Sequence, residues 1–194
     1  AKQNLQRVAY AEGEDERVLR AVQVVVEEGL AKPILIGRPA VIEARIAKAG
    51  LRLQVGVNYE VCDPEDDPRF RQYWEAYHRL MGRDGITAEG AKAAVRRSNT
   101  VIAALMVHLG DADAMLSGLV GRFDRHLAHI EEVLGKQANV QQLATVNAVI
   151  LEGRTLFIAD TYINEDPTAQ ELAQIAKLAA DEVARFGLPP KVAF

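Results

Sequence analysis

The chain has 194 residues, a net charge of −4 and a single cysteine. That length suits one large domain or two small ones, and the mild acidity excludes a general nucleic-acid or anionic-membrane binder. One thiol excludes an intramolecular disulfide, Ala1 to Gln6 is polar where a signal peptide would be apolar, and no apolar run approaches the roughly 20 residues that cross a bilayer, so a cytoplasmic location is expected.

Arg7-Val-Ala-Tyr-Ala11 reads as a first strand. Gly13-Glu-Asp-Glu then opens a helix with acidic residues in its first turn, where the helix dipole favours them. Val18, Leu19, Val22, Val25 and Val26 form its apolar stripe, and Gly29 ends it. Lys32-Pro-Ile-Leu-Ile-Gly37 is a second short strand, and Pro39 to Ala49 a second helix closed by Gly50. This β-α-β-α order implies a parallel sheet with right-handed crossovers.

Asn58 to Cys62 reads as a third strand, with Cys62 as a small buried apolar residue rather than a nucleophile. Asp67-Pro68 starts an aromatic-rich helix running to about Met81. Two more helices are predicted over Thr87–Arg97 and Asn99–Leu109, then a strand over Ala112–Leu116. After the loop at Gly118 a helix reaches Leu134 and stops at Gly135. Beyond it, Ala144–Leu151 and Thr155–Ala159 flank Glu152-Gly-Arg154, a turn short enough to demand an antiparallel hairpin. Thr155–Ala159 is expected to be buried. Residues 168–186 form an amphipathic helix with Leu172, Ile175, Ala176, Ala179, Val183 and Phe186 on one face. Lys191-Val-Ala-Phe194 reads as the opening of a further strand, which suggests a fragment with an incomplete last sheet. The change of character at Gly135 divides the chain into residues 1–135 and 136–194.

Two loops concentrate polar chemistry. Ser117-Gly-Leu-Val-Gly-Arg-Phe-Asp-Arg-His126 joins a strand to a helix. Glycines there let the backbone approach a ligand, free N–H groups at a helix start attract anions, and Arg122 adds a planar cation suited to phosphate or carboxylate. The alternative is a Gly-rich turn with Arg122 simply exposed. The spacing is neither a P-loop nor a dinucleotide fingerprint. His126 is a candidate acid or base, though a lone histidine is more often structural. No cluster has metal-ligand spacing. Asp160-Thr-Tyr-Ile-Asn-Glu-Asp-Pro-Thr168 follows a strand, and Asp160 and Asn164 form either a site wall or a well-capped turn. Thr168 and Glu171 have capping-box spacing. Glu12-Gly13 and Gly37-Arg38-Pro39 sit where a parallel sheet places its ligand crevice.

Four segments carry a resemblance: Ala11-Glu-Gly-Glu-Asp-Glu-Arg-Val-Leu19, Pro33-Ile-Leu-Ile-Gly-Arg-Pro39, Ala112-Asp-Ala-Met-Leu-Ser-Gly118 and Asp160 to Thr168. In order along the whole chain they resemble the phosphate acetyltransferase (phosphotransacetylase) family. Asp67-Pro-Arg-Phe-Arg-Gln-Tyr-Trp-Glu-Ala-Tyr-His78 and Gly121-Arg-Phe-Asp-Arg-His126 are most similar to the phosphotransacetylase-like C-terminal domain of the large NADP-dependent malic enzymes.

The resemblance implies a three-layer α/β/α architecture with a mainly parallel sheet, in the family's two-subdomain form and truncated here. Family transferases move acetyl between coenzyme A and phosphate in a cleft between the subdomains and form dimers. In the malic enzymes the domain is regulatory: acetyl-CoA binds it and inhibits a separate region that uses NADP and a divalent metal, Mg or Mn. Ser117, Gly118, Gly121, Arg122, Asp124 and Arg125 are then the expected acetyl-CoA or phosphate contacts, with Asp160 and Asn164 on the opposite wall. No catalytic residue and no metal ligand is assigned, and no cofactor is expected in this fragment. The family's Ser-Gly-Ala-Val-His-Thr-Thr-Ala-Asp-Thr-Val-Arg-Pro pattern is replaced after Gly118. Its catalytic serine, arginine and aspartate lie beyond the equivalent of Phe194. Acetyl transfer by a complete parent and a purely structural oligomerisation role are the alternatives. A homo-oligomer is expected, without nucleic-acid or membrane partners.

Overall fold

The computed structural model describes residues 4–194. They divide into two compact units, with the boundary between Gly135 and Lys136. In the first unit four parallel strands lie in the order β3-β2-β1-β4, where β1 is Gln6–Tyr10, β2 Ala31–Ile36, β3 Glu60–Cys62 and β4 Ala114–Leu116. Side chains alternate between the faces of a strand, and the apolar residues follow that period. Tyr10 and Leu35 point to one face, where α1 (Glu16–Glu27) and α2 (Pro39–Lys48) bury Leu19, Val22, Ile42 and Ile46 against them. Ala9, Ala11, Ile34 and Ile36 point to the other. There α3 (Phe70–Met81), α4 (Ala88–Arg97), α5 (Asn99–Leu109) and α6 (Phe123–Leu134) complete a three-layer α/β/α sandwich.

The helices begin where short polar side chains can serve the orphan N–H groups of a first turn. Asp15 accepts from the Arg17 amide, Thr87 from Gly90 and Ser98 from Val101. The third helix starts later than Asp67-Pro68, at Phe70. Asp67 instead accepts from the Arg69 amide and guanidinium, and this local turn takes up the residues before the helix. α5 is buried continuously from Thr100 to Met106, so it is a central helix rather than an amphipathic one. Cys62 is buried, and burial, ahead of the neighbouring Asp67, pushes its thiol far above the ordinary range. It is the small apolar residue the sequence suggests.

Gly13 has a steric reason to be glycine. A Cβ there would stand 2.8 Å from both the backbone nitrogen and the carbonyl oxygen of Ile36. The β1–α1 turn therefore lies directly against the end of β2, which brings the sheet's C-terminal loops together.

The second unit pairs β5 (Val146–Leu151) with β6 (Arg154–Ala159) as an antiparallel hairpin, followed by α7 (Ala169–Arg185). Glu152 and Gly153 make the turn, with Gly153 at φ +76°. The capping box forms: Thr168 accepts from the Glu171 amide while the Glu171 carboxylate accepts from the Thr168 amide. Two expectations fail. β6 is mostly exposed instead of buried, because a two-stranded sheet with one covering helix leaves its other face to solvent. Lys191–Phe194 has no strand partner among the described residues and is irregular. On the covered side Phe157 meets Phe186, ring centroids 5.3 Å apart.

Candidate functional site

The polar residues of the first unit converge at the C-terminal ends of β1 and β4, where parallel sheets gather ligand-binding loops. The Ala11 amide donates to the Leu116 carbonyl at 2.9 Å and extends the β1–β4 pairing by one step. One residue on, the Glu12 carboxylate accepts from the Gly118 amide at 2.9 Å. Asn99, at the start of α5, donates its side-chain amide to the Ala11 carbonyl at 2.8 Å. The loop after β4 is thus tied to the loop after β1 and to the α5 N-terminus.

Inside this frame Ser117, Thr100 and His126 form a triangle. Thr100 Oγ1 lies 2.8 Å from His126 Nδ1, Ser117 Oγ lies 3.1 Å from the same nitrogen, and the two hydroxyls are 2.9 Å apart. His126 Nε2 lies 2.9 Å from the Val120 carbonyl oxygen. A carbonyl only accepts, so Nε2 carries the proton of the neutral ring and Nδ1 is left as a base facing two hydroxyls. Thr100 is 4% exposed and is the one buried polar residue among those described. Ser117 and His126 are half-buried, at the solvent side of the triangle.

Gly121 makes room for the imidazole. Its φ is +112°, in the left-handed region that favours glycine, and a Cβ there would come within 2.9 Å of His126 Nε2. The sequence marked Ser117, Gly118, Gly121 and His126 as members of one loop. Thr100 it did not mark, although a lone threonine in the apolar run Thr100 to Met106 was the available signal.

The charged members face outward. Arg122 holds Asp124 in a two-point ion pair, Nε to Oδ1 at 2.9 Å and the terminal nitrogen to Oδ2 at 2.7 Å. Both are well exposed, and the pair holds Asp124 below the usual carboxylate range. Arg125 is exposed on the same helix. An anion approaching Gly118 would meet an amide already donated to Glu12, and one approaching Arg122 would have to displace Asp124. Farther along α6, Glu132 accepts from Tyr77 at 2.9 Å and contacts His129 Nδ1 at 3.1 Å, which gives that histidine a structural partner.

Asp160 and Asn164 belong to the second unit, where they form a saturated cluster. Asp160 Oδ1 accepts from the Thr145 amide at 2.9 Å and from its hydroxyl at 2.7 Å. Oδ2 accepts from the Asn164 amide at 2.9 Å and from the Asn164 side chain. Asn164 also donates to the Leu143 carbonyl at 3.0 Å. A carboxylate has about four lone-pair positions, and four donors use them. Partial burial opposes ionisation of Asp160, but these hydrogen bonds outweigh it and hold its pKa down to about 2. Among the described residues no group of three or more His, Cys, Asp or Glu could hold a metal ion. No described helix is long and apolar enough to cross a membrane.

The chain is 48% identical over 193 residues to the NADP-dependent malic enzyme of Salmonella typhimurium, covering 100% of this chain and 25% of that protein. It is 48% identical over 187 residues to the NAD-dependent malic enzyme of Rhizobium meliloti, covering 96% of this chain and 24% of that protein. The chain therefore spans about a quarter of the length of these curated relatives. Among solved structures, a phosphotransacetylase from Streptococcus pyogenes superposes with a TM-score of 0.86 at 27% identity, over 96% of this chain and 56% of that one. The family model for phosphate acetyl/butaryl transferase matches residues 1–194, and the chain belongs to that family.

Proposed function

We propose that this chain is the regulatory, acetyl-CoA-responsive and dimerising phosphotransacetylase-like domain of a malic enzyme. The observation that carries the reading is the pairing of a whole-chain match to the transferase family with near-half identity to a quarter-length segment of malic enzymes. In such a parent, malate is oxidatively decarboxylated to pyruvate in a separate region that supplies NADP and a divalent metal, Mg or Mn, in the cytoplasm. This domain contributes the effector site and the subunit contact.

The edge that carries Ser117, Gly118, Gly121, Arg122, Asp124 and Arg125 is the place for the effector's phosphates. Binding there exchanges partners: the ligand takes Arg122 from Asp124, and the cost of that exchange leaves affinity moderate and tunable, as an effector requires. Exposed apolar residues of the second unit, Leu156 and Ile158 on β6 among them, support an oligomeric parent.

The test is a calorimetric titration of acetyl-CoA into the intact protein and into Arg122→Ala. Saturable binding is expected, weakened in the variant by about 10- to 100-fold, the equivalent of one charge-assisted hydrogen bond. Unchanged affinity refutes the role of Arg122. A stable dimer indifferent to acetyl-CoA refutes effector binding and leaves assembly alone. The transferase reading has the family match in its favour, and it requires the intact protein to make acetyl-CoA from acetyl phosphate and CoA.

A further inference from the structure

At the other end of the sheet, residues 51–59 lead into β3 beside the last turn of α2, and a cavity of about 400 Å³ lies between them. Small-molecule sites have this size and combine apolar walls with a few convergent polar groups. Ile46, Leu51, Leu53 and Val55 supply the walls, and the polar groups are Tyr59 and, with Gln54, Glu43. Tyr59 is 3% exposed, yet its hydroxyl makes no hydrogen bond to any described residue. A buried phenol ordinarily has a partner. Among the described residues the one side-chain atom both sealed from solvent and unpartnered is Gln142 Oε1. The Tyr59 oxygen therefore reaches open space, and the space that Tyr59 lines is this cavity. Burial, and after it the negative charge of Glu43, raises the pKa of the phenol, so it stays protonated and Glu43 is close enough to act on it. Glu43 is exposed and forms no ion pair among the described residues. Two neighbouring arginines are spent elsewhere: Arg45 donates to the Glu14 carbonyl, and Arg52 holds Glu27 at 2.7 Å. The carbonyl end of α2 adds partial negative charge on the same side.

We propose that this cavity is a binding site for small primary amines with an apolar body. The body lies against Leu51, Leu53 and Val55, and the ammonium donates to the Tyr59 oxygen and to the Glu43 carboxylate. A cation answers three features at once: a carboxylate without a counter-charge, a phenol oxygen without a donor, and the negative end of a helix. A neutral alcohol of the same shape satisfies Tyr59 but leaves Glu43 as it stands in water, and an anion meets repulsion from Glu43. Residues 51–59 precede β3, so the site is at the amino ends of the strands, whereas Ser117, Gly118 and Arg122 are at the carboxyl ends. The proposal goes beyond the effector reading and does not rest on it, because its ligand carries neither coenzyme A nor phosphate. An occupant fastens the segment before β3 to α2.

The experiment is an NMR titration of the intact protein with three probes of one shape, 2-phenylethylamine, 2-phenylethanol and phenylacetate, each to about 10 mM so that millimolar Kd values are reached. Expected are saturable shifts of the Leu51, Leu53 and Val55 methyl groups and of the Tyr59 ring. The amine is expected to bind about 3-fold or more tighter than the alcohol, with phenylacetate weakest. Glu43→Gln keeps the shape and is expected to erase the preference for the amine. Tyr59→Phe keeps the ring and is expected to weaken the amine by about 2- to 10-fold, the equivalent of one hydrogen bond. Ala47→Leu, on the exposed side of α2, fills the cavity without touching the core and is expected to abolish all three signals in protein with an unaltered circular dichroism spectrum. Shifts that are absent or fall elsewhere overturn the proposal. So do equal binding of amine and alcohol, an amine preference that survives Glu43→Gln, and unchanged binding in Ala47→Leu.

Discussion

Asp160 shows how much one side chain can organise. It accepts from two residues, Thr145 at the foot of β5 and Asn164 four positions ahead, and so fastens the hairpin to the turn before α7. Asp160→Asn replaces an acceptor with an NH2 group that faces existing donors. The expected loss is about 1–3 kcal/mol, the cost of leaving partly buried donors unsatisfied. The pH dependence has a defined sign. The carboxylate's folded pKa, about 2, lies below an unfolded value of about 3.9, so its contribution is complete above the unfolded value and disappears as pH falls through the folded one. Denaturant unfolding of both proteins at about pH 6 and about pH 3 is expected to show the gap narrowing in acid. A gap that stays constant with pH rejects this account. At this scale the sequence located both loops but not their internal partners. Thr145 and Thr100 lie 15 and 17 residues before the groups they meet, and no local pattern encodes such a meeting.

Elements were more legible than contacts because their signals are local. The first strand, read over Arg7–Ala11, and the cap at Thr168 are written in adjacent residues. Thr168→Ala removes half of the α7 capping box, and the expected cost is about 1 kcal/mol with a loss of helicity in the first turn. Urea unfolding and far-ultraviolet circular dichroism measure it, and no change in either rejects the box as a stabilising contact. The elements misread are those whose state depends on neighbours. Thr155–Ala159 has the composition of a buried strand, yet burial requires a second covering layer, and β6 has one paired strand and one helix. Lys191–Phe194 has strand-like residues without a strand to pair with among the described residues.

At the scale of the molecule, the parallel pairing follows from the β-α-β-α register, which the first two strands and helices already announce, whereas the helices of the second face come from the chain's return to the other side of β1 at β4, which that register does not encode. The central placement of α5 does not, because an apolar helix reads the same whether it covers a sheet or lies beneath other helices. That placement governs motion. Amide protons exchange with solvent through local or global opening, and the slowest belong to segments that open only with the whole unit. The run from Thr100 to Met106 is such a segment, and Thr100 also anchors His126 and Ser117. In native-state hydrogen exchange, α5 amides are expected to open only in the global unfolding of the first unit, while those of 119–122 exchange early. One end of the Ser117–Thr100–His126 triangle therefore rests on the last part of the unit to open and the other on the first, so the loop can breathe around a fixed anchor without scattering it.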